Sequence, residues 1–537
     1  MDTRKNFIHG AVILMAANII SKLLGAVFKI PLTYLLEEEG MAIFNTAFSV
    51  YVMILSFTTC GMPLAISRMV AGDLAKNKPG DVRKTICTAC LVLGISGLLG
   101  SLLLWFGAEF FSLSMKDAKA FFSIRMIAPA VFFVAVGTVF KSYYQGKSNM
   151  TPTAVSQVIE AVIKLVAGYG LSVYYAKLSV EYTAAAAIFG VTVGELIATL
   201  ILWLLWLPDR KRLSGYPSIR PTRTIISDMF SYAVPMLIAS GVSSALSLAD
   251  IAVIRNALTD IRFTPETAEA FLRQYASTTT HFDALLSELR ISEAAARWLY
   301  GAYSGYALTV FHLPVGMLAA LGTSILPIIA GALAVRNRER AGRAIFLCSK
   351  FSLLLCLPAA VILGRYSAEL LHLLFRNTVS ARLLSGLAPC LVFIVLSDLF
   401  ITVQHASGRL IVPFLYSFLG DIIKLILGRF LIRCPELNLS GVVIAANISY
   451  FVVLFFNYLA VRRQFGLRLM SLLPKPLCSV GVMWLVLHLV DTPFHILFGN
   501  DILALLASLA VGGFSYLLVL IFSGTLTADE IHFFKKG

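Results

Sequence analysis

Apolar runs long enough to cross a lipid bilayer recur from one end of this chain to the other. A hydrocarbon core of about 30 Å takes roughly 20 consecutive, mostly apolar helical residues to span. Such runs fall at 9–36, 42–70, 84–108, 121–146, 152–176, 183–207, 225–256, 298–333, 344–371, 383–407, 411–432, 438–461, 472–490 and 501–524, fourteen in all. The 537 residues are 58% hydrophobic and 14% charged, whereas a soluble domain carries about a quarter charged residues. The expected class is therefore an all-α membrane protein with 14 transmembrane helices. The first run holds Lys22 and Lys29 and no small-residue cleavage site, so it reads as a retained helix rather than a removable presequence.

Alternate connections are basic: Arg4 and Lys5; Lys76, Lys78, Arg83 and Lys84; Arg210, Lys211, Arg212, Arg220 and Arg223; Arg336, Arg338, Arg340 and Arg343; Arg462, Arg463 and Arg468; Lys535 and Lys536. The opposite loops are poor in positive charge, and one carries Glu37-Glu38-Glu39. Because cytoplasmic loops retain Lys and Arg, both termini are expected in the cytoplasm. The same bias accounts for much of the formal charge of +15. Scattered over short loops that face anionic lipid, with no folded basic module, this charge does not point to nucleic acid. The eight cysteines are dispersed, and all but Cys434 lie in apolar runs, as small buried residues do. Cys87 and Cys90 form one C-x-x-C without a second pair or a nearby histidine, so neither a metal site nor a cofactor is expected.

The chain also repeats itself. Ala71-Gly72-Asp73-Leu74-Ala75-Lys76-Asn77 resembles Ala330 to Ala334 followed by Arg336 and Asn337, about 259 residues on. Pro129, Gly146-Lys147, Pro152, Glu160 and Lys164 recur as Pro389, Gly408-Arg409, Pro413, Asp421 and Lys424, at an offset near 260. An even number of spans separates the copies, so the halves share one orientation and are related by an axis along the membrane normal. The expected organisation is an N-terminal six-helix bundle (1–224), a C-terminal six-helix bundle (225–463) with an outer segment at 257–297, and two further helices with a short tail (464–537). Thr264-Pro265-Glu266 opens a short helix in the outer segment in N-cap and N1 style.

Ionisable groups inside spans cost about 2.5–3.5 kcal/mol each on insertion scales and normally face a bundle interior or a watery cavity. Lys22 and Lys29 lie seven residues apart, on one helix face two turns apart, and several cations with few fixed anions suit a phosphate-bearing ligand. Arg68, Lys141 and Arg255 lie nearer span ends, where long cationic side chains either snorkel to the interface or line the cavity. Glu160 with Lys164 and Asp421 with Lys424 are spaced to pair along a helix face, a structural role repeated in both halves. Glu195, Asp250 and Asp398 have no partner nearby in sequence; each either binds a coupling cation or proton or meets a partner on another helix. The lone His312 before Pro314 reads as a hydrogen-bonded structural group. Gly61-Met62-Pro63 and Pro314-Val315-Gly316 are breaks of the kind that mark moving segments in transporters.

Ser21-Lys22-Leu23-Leu24-Gly25 with Lys29-Ile30-Pro31, the segment Gly61 to Arg68, and Gln145-Gly146 leading through Asn149-Met150-Thr151-Pro152 to Glu160 resemble the polysaccharide-transporter branch of the MOP exporter superfamily. Within it the likeness is to the stage V sporulation protein B and MurJ-like lipid II flippase group. The resemblance implies two MATE-like six-helix bundles around a cationic cavity, and a groove on helices thirteen and fourteen for a polyprenyl tail. It also implies alternating access that moves an undecaprenyl-pyrophosphate-linked sugar outward across the bacterial cytoplasmic membrane. Lys22, Lys29 and Arg68 fall in motifs where the family places cavity cations, and Arg255 is a further candidate for the substrate. Coupling to the membrane potential, Na+ or H+, and contact with the cell-wall synthesis machinery, belong to the same expectation. The segment Tyr303 to His312 lacks the Asp-Arg pair that the better-known lipid II flippases carry in helix eight, which bears on the identity of the sugar. A cation-coupled multidrug exporter of the same superfamily is the alternative, and acidic cavity groups would favour it. A membrane glycosyltransferase would need an acidic constellation or a catalytic loop, and the sequence displays neither.

Overall fold

In a computed structural model, residues 2–59, 61–147, 149–274, 289–318, 329, 337–409 and 411–525 are described. The match at 330–336, Cys60, the later part of the expected span 298–333, and Lys535 and Lys536 lie outside them. Every regular element among the described residues is helical. Twelve helices among them are long and apolar enough to cross a membrane, and the chain is a multi-pass membrane protein.

The first two expected spans join without a loop. Helix α1 (Asp2–Thr59) is broken only at Glu37, whose φ of 53° divides it into two arms. The second expected span, drawn as continuous over 42–70, instead ends with α1 and restarts as α2 (Met62–Ala75). Gly61 takes a left-handed φ of 77° there, with Pro63 in the first turn of α2, where a missing N–H costs nothing. The chain continues through α3 (Pro79–Ser114), α4 (Phe121–Gly146), α5 (Thr151–Tyr175), α6 (Val180–Ser214), α7 (Thr222–Thr259), α8 (Pro265–Gln274) and α9 (Glu293–Ala302). A π-helical turn, Tyr303–Ala307, follows α9. Then come α10 (Arg338–Arg365), α11 (Ser367–Phe375), α12 (Ala381–Ala406), α13 (Ile411–Ile432), α14 (Ser440–Phe465), α15 (Pro474–Phe498) and α16 (Asp501–Phe522).

The repeat is visible in these bounds, since α4 and α12, α5 and α13, and α6 and α14 begin 260 residues apart, at 121 and 381, 151 and 411, 180 and 440. Pro129 and Pro389 sit inside α4 and α12 at equivalent places.

The chain divides into two compact units, one of residues 1–272 and 278–305 and the other of 273–277 and 306–537. Helix α7, placed by the repeat at the start of the second bundle, packs with α1, α2 and α3 in the first unit. The reason lies in its polar contacts: Ser244 is hydrogen-bonded to Ser56 at 2.8 Å, and Arg255 is ion-paired with Asp117. A repeat records likeness of sequence, not the surface on which a helix is buried.

In the second unit, α15 and α16 form a hairpin whose buried face joins Met483, Leu487, Tyr516 and Leu520 to Leu354 and Tyr366. Gly512 makes the hairpin close, because a Cβ there would lie 2.4 Å from the Leu487 side chain. The Tyr516 hydroxyl donates to the Leu354 carbonyl at 2.7 Å, satisfying a polar group that lipid could not.

Candidate functional site

One cluster of charge in the first unit is built on a close crossing of α5 and α6. A Cβ on Gly190 would lie 2.3 Å from the Gly168 Cα, and one on Gly194 would lie 3.0 Å from the Glu160 carbonyl oxygen. Helices without a hydrophobic drive to associate in lipid pack through such small residues. The hydroxyls of Thr192 and Thr199 then donate to the carbonyls of Met126 and Phe133, at 2.7 and 2.9 Å, fixing α6 against α4. This register sets Glu195, only 8% exposed, beside Glu160, with Lys141 and Lys164 within electrostatic reach.

Lys141 Nζ lies 3.5 Å from Glu160 Oε2. The Lys164 ammonium lies over the rings of Phe28 and Phe48, 5.7 and 5.5 Å from their centroids, a placement the ring quadrupole favours. Lys29 is within reach of Lys164, and Tyr51 of both glutamates. Three amines and two carboxylates from α1, α4, α5 and α6 thus share one region. It can hold an anionic group against the amines or a cation against the carboxylates.

The structure therefore brings together Lys29, Glu160, Lys164 and Glu195, and recruits Lys141. The i,i+4 spacing of Glu160 and Lys164 suggests a pair, yet the hydrogen bond at Glu160 comes from Lys141 on α4, while Lys164 turns to aromatic faces of α1. Lys22 and Arg68 are exposed, on α1 and α2, and Asp250 is half-buried on α7. Asp398 on α12 and Asp421 and Lys424 on α13 are half-buried in the second unit, where Lys424 lies near Cys390. His312 is exposed.

Arg255 belongs to a separate network, at the end of the first unit where α1 kinks. Its guanidinium donates to Asp117 Oδ2 and Thr46 Oγ1, both at 3.0 Å, and to the Met115 carbonyl at 3.0 Å, and stacks 4.9 Å from the Tyr300 ring. Asp117 has no exposed surface. Arg297 Nε lies 3.2 Å from its other oxygen, off the line of a hydrogen bond, and Arg297 and Lys119 both reach Glu39, at 3.3 and 2.8 Å. Neither snorkelling nor an open cavity describes Arg255: its charge is neutralised within the unit. Asp117 and Arg297 sit in connections, outside the apolar runs, and nothing in local spacing joins them to Arg255, since Asp117 lies 138 positions before it. Glu39 was legible only as part of an acidic run.

At the opposite end of α3, the connector between α6 and α7 is fastened by Asp81. One carboxylate oxygen accepts from the Ser218 hydroxyl and from the backbone N–H groups of Ile219 and Arg220, at 2.8, 2.8 and 3.0 Å. Arg220 in turn pairs with Asp73 and Asp228.

A multi-pass helical membrane protein with an internal repeat and charge buried at membrane level follows the plan of secondary transporters. The chain belongs to the polysaccharide biosynthesis protein family, whose model matches residues 7–333. It is similar to Stage V sporulation protein B of Bacillus subtilis (strain 168), at 23% identity over 449 residues covering 82% of this chain and 81% of that protein. It is also similar to Lipid II flippase MurJ of the same organism, at 22% identity covering 86% and 83%. Among solved structures, the inward closed conformation of Lipid II flippase MurJ superposes with a TM-score of 0.66 at 15% identity, covering 95% of this chain and 98% of that one. An inward-facing multidrug resistance MATE family transporter of the MOP superfamily gives 0.63 at 13%, covering 86% and 98%. These likenesses bear out the sequence resemblance and, for the structures, a shared fold.

Proposed function

We propose that this protein is a flippase that carries an undecaprenyl-pyrophosphate-linked sugar, lipid II or a related polysaccharide precursor, across the bacterial cytoplasmic membrane by alternating access. The reading rests on family membership and on the names of the curated relatives. The observation that carries it is the surplus of amines where Lys29, Lys141 and Lys164 face two carboxylates inside the first unit.

The layout we read is fourteen spans: the twelve among the described residues with the two arms of α1 counted separately, and the apolar run 298–333, part of which lies outside the described residues. By the repeat they form two sets of six, with α7 counted in the second set although it packs in the first unit, plus α15 and α16, which take the polyprenyl tail. Both termini face the cytoplasm. Lys22, Lys29 and Arg68 hold the pyrophosphate, with Lys141 and Lys164 beside Lys29, while the sugar fills the cavity; Arg255, a candidate substrate contact by sequence, is committed to Asp117 instead. The bundles then rock. With the interior negative, outward movement of an anionic head is favoured by about 2.3 kcal/mol per charge per 100 mV. Na+ or H+ binding at Glu195, Asp250 or Asp398 resets the empty carrier. No covalent chemistry is required, so the protein acts as a carrier and not an enzyme, and the cell-wall synthesis machinery consumes what it delivers.

The test is translocation of labelled lipid II and of other undecaprenyl-linked sugars by proteoliposomes, with the triple variant Lys22→Ala, Lys29→Ala, Arg68→Ala alongside. Transport falling to background in the variant is the expected result; transport at the wild-type rate overturns the cationic-site assignment. The second reading, a cation-coupled exporter, is favoured by the juxtaposed Glu160 and Glu195. Uptake of cationic dyes without any lipid-linked sugar would select it.

A further inference from the structure

The second unit holds a cavity beside the α15–α16 hairpin, apart from the amines and carboxylates of the first unit. It lies between α11 and the turn joining α15 to α16, with a volume of about 670 Å³, within the range of small-ligand sites. Glu369, His372 and Arg376 line one wall, from one face of α11 and its C-cap, and His495, Asn500 and Asp501 line the other.

Two features give the cavity a chemical preference. Glu369 Oε2 is buried without a hydrogen-bond partner. Arg376 has no ion pair among the described residues, and its backbone is held left-handed at φ 51° while its N–H caps α11 through the His372 carbonyl at 2.8 Å. Non-glycine residues in this region cost of order 1 kcal/mol or more and tend to persist where a site over-determines them. By contrast, the neighbouring charges are occupied. Arg365 donates to Asp491 at 2.5 Å, and His495 contacts Asp501 at 3.2 Å. One uncommitted guanidinium and one uncommitted carboxylate, two helical turns apart, ask for a ligand with an anionic group and a donor group on one short frame.

The rim shows how such a ligand arrives. Ile502 in the lining is 48% exposed, and Ile496 and Leu497, which follow His495 in the chain, are 80% and 71% exposed, on helices long and apolar enough to cross the membrane. A polar cavity with exposed aliphatic side chains on the same hairpin fits an amphiphile with its head inside and its tails outside.

From this juxtaposition we infer that the cavity binds a zwitterionic phospholipid of the phosphoethanolamine class. The phosphate lies on Arg376, the ammonium on Glu369, and the acyl chains run along the α15–α16 hairpin. The bound lipid bridges α11 to that hairpin. The head-group contacts stand whichever sugar is transported, while the acyl chains share the hairpin with the proposed polyprenyl tail.

Native mass spectrometry of the purified full-length protein, titrated with phosphatidylethanolamine and with phosphatidylglycerol of matched chains, tests it. The wild type is expected to take up phosphatidylethanolamine in preference. Arg376→Gly should weaken that uptake about ten-fold, the weight of one charge-assisted contact. Glycine accepts the left-handed backbone, so this variant keeps the fold. Glu369→Gln should erase the preference between the two lipids while leaving phosphatidylglycerol uptake unchanged. Equal uptake of both lipids by the wild type, unchanged preference in Glu369→Gln, or stronger binding of a monophosphate-headed isoprenoid than of phosphatidylethanolamine overturns the assignment.

Discussion

Asp117 offers the sharpest test of how the first unit is held. It is fully buried and receives Arg255 and Arg297, at 3.0 and 3.2 Å, while Arg255 is itself 3% exposed. Removing one member of a buried pair leaves the other charge uncompensated, which costs about 3–5 kcal/mol, although the intact pair is worth much less against an apolar replacement. Asp117→Asn keeps the shape and one acceptor for Arg255 but removes the charge that offsets two guanidiniums, so a loss of about 3 kcal/mol is expected. Lys116 and Glu293, 3.5 Å apart with side chains 44% and 64% exposed, supply an internal control, since an exposed pair contributes about 0–1 kcal/mol. Thermal denaturation of detergent-purified protein, followed by the fraction remaining monodisperse, reads both variants under one protocol, as irreversible unfolding requires. The double variant Asp117→Leu, Arg255→Met should recover part of the loss, with a coupling of about 0.5–3 kcal/mol. If Asp117→Asn melts no lower than Glu293→Gln, the network is not holding the unit together.

Three further outcomes follow from the packing. Gly190→Leu should separate α5 from α6, because even a Cβ meets the Gly168 backbone at 2.3 Å; loss of folded protein on size exclusion checks it, and Gly170→Leu, where a Cβ meets nothing within 4 Å, should be tolerated. Gly80→Ala should destabilise by about 1–3 kcal/mol, the usual cost of overpacking, because its Cβ would lie 2.2 Å from the Pro217 carbonyl oxygen, and backbone cannot step aside as a side chain can. Lys141→Met should slow transport in proteoliposomes at least ten-fold while Lys141→Arg retains part of it, since only the latter keeps a cation beside Glu160, now 3.5 Å away; equal rates in both variants would remove Lys141 from the site.

Much of the architecture was legible before any coordinates. Span length and apolar composition impose helices, because lipid leaves the backbone no other local partner, and the 260-residue offset reappears as equal spacing of helix starts. The glycine and proline at 61–63 marked a real break, and Lys29, Glu160, Lys164 and Glu195 were recognisable singly as charges too costly to strand in lipid. Their partners were not recognisable. Lys141 meets Glu160 only because Thr192, Thr199 and the small residues Gly168 and Gly190 set the register of α4, α5 and α6, and a register between helices leaves no periodic trace in any one of them. The same holds for Arg255, whose span-end position suggested either snorkelling or a place in the cavity but whose fate was set by an aspartate in a distant turn. Sequence alone determined that this chain crosses the membrane many times, as two related halves with charge inside, because those properties follow from the solvent each helix must satisfy. Tertiary structure decided which charges meet and which helix joins which unit, because those depend on contacts at a few ångströms between segments far apart in the chain.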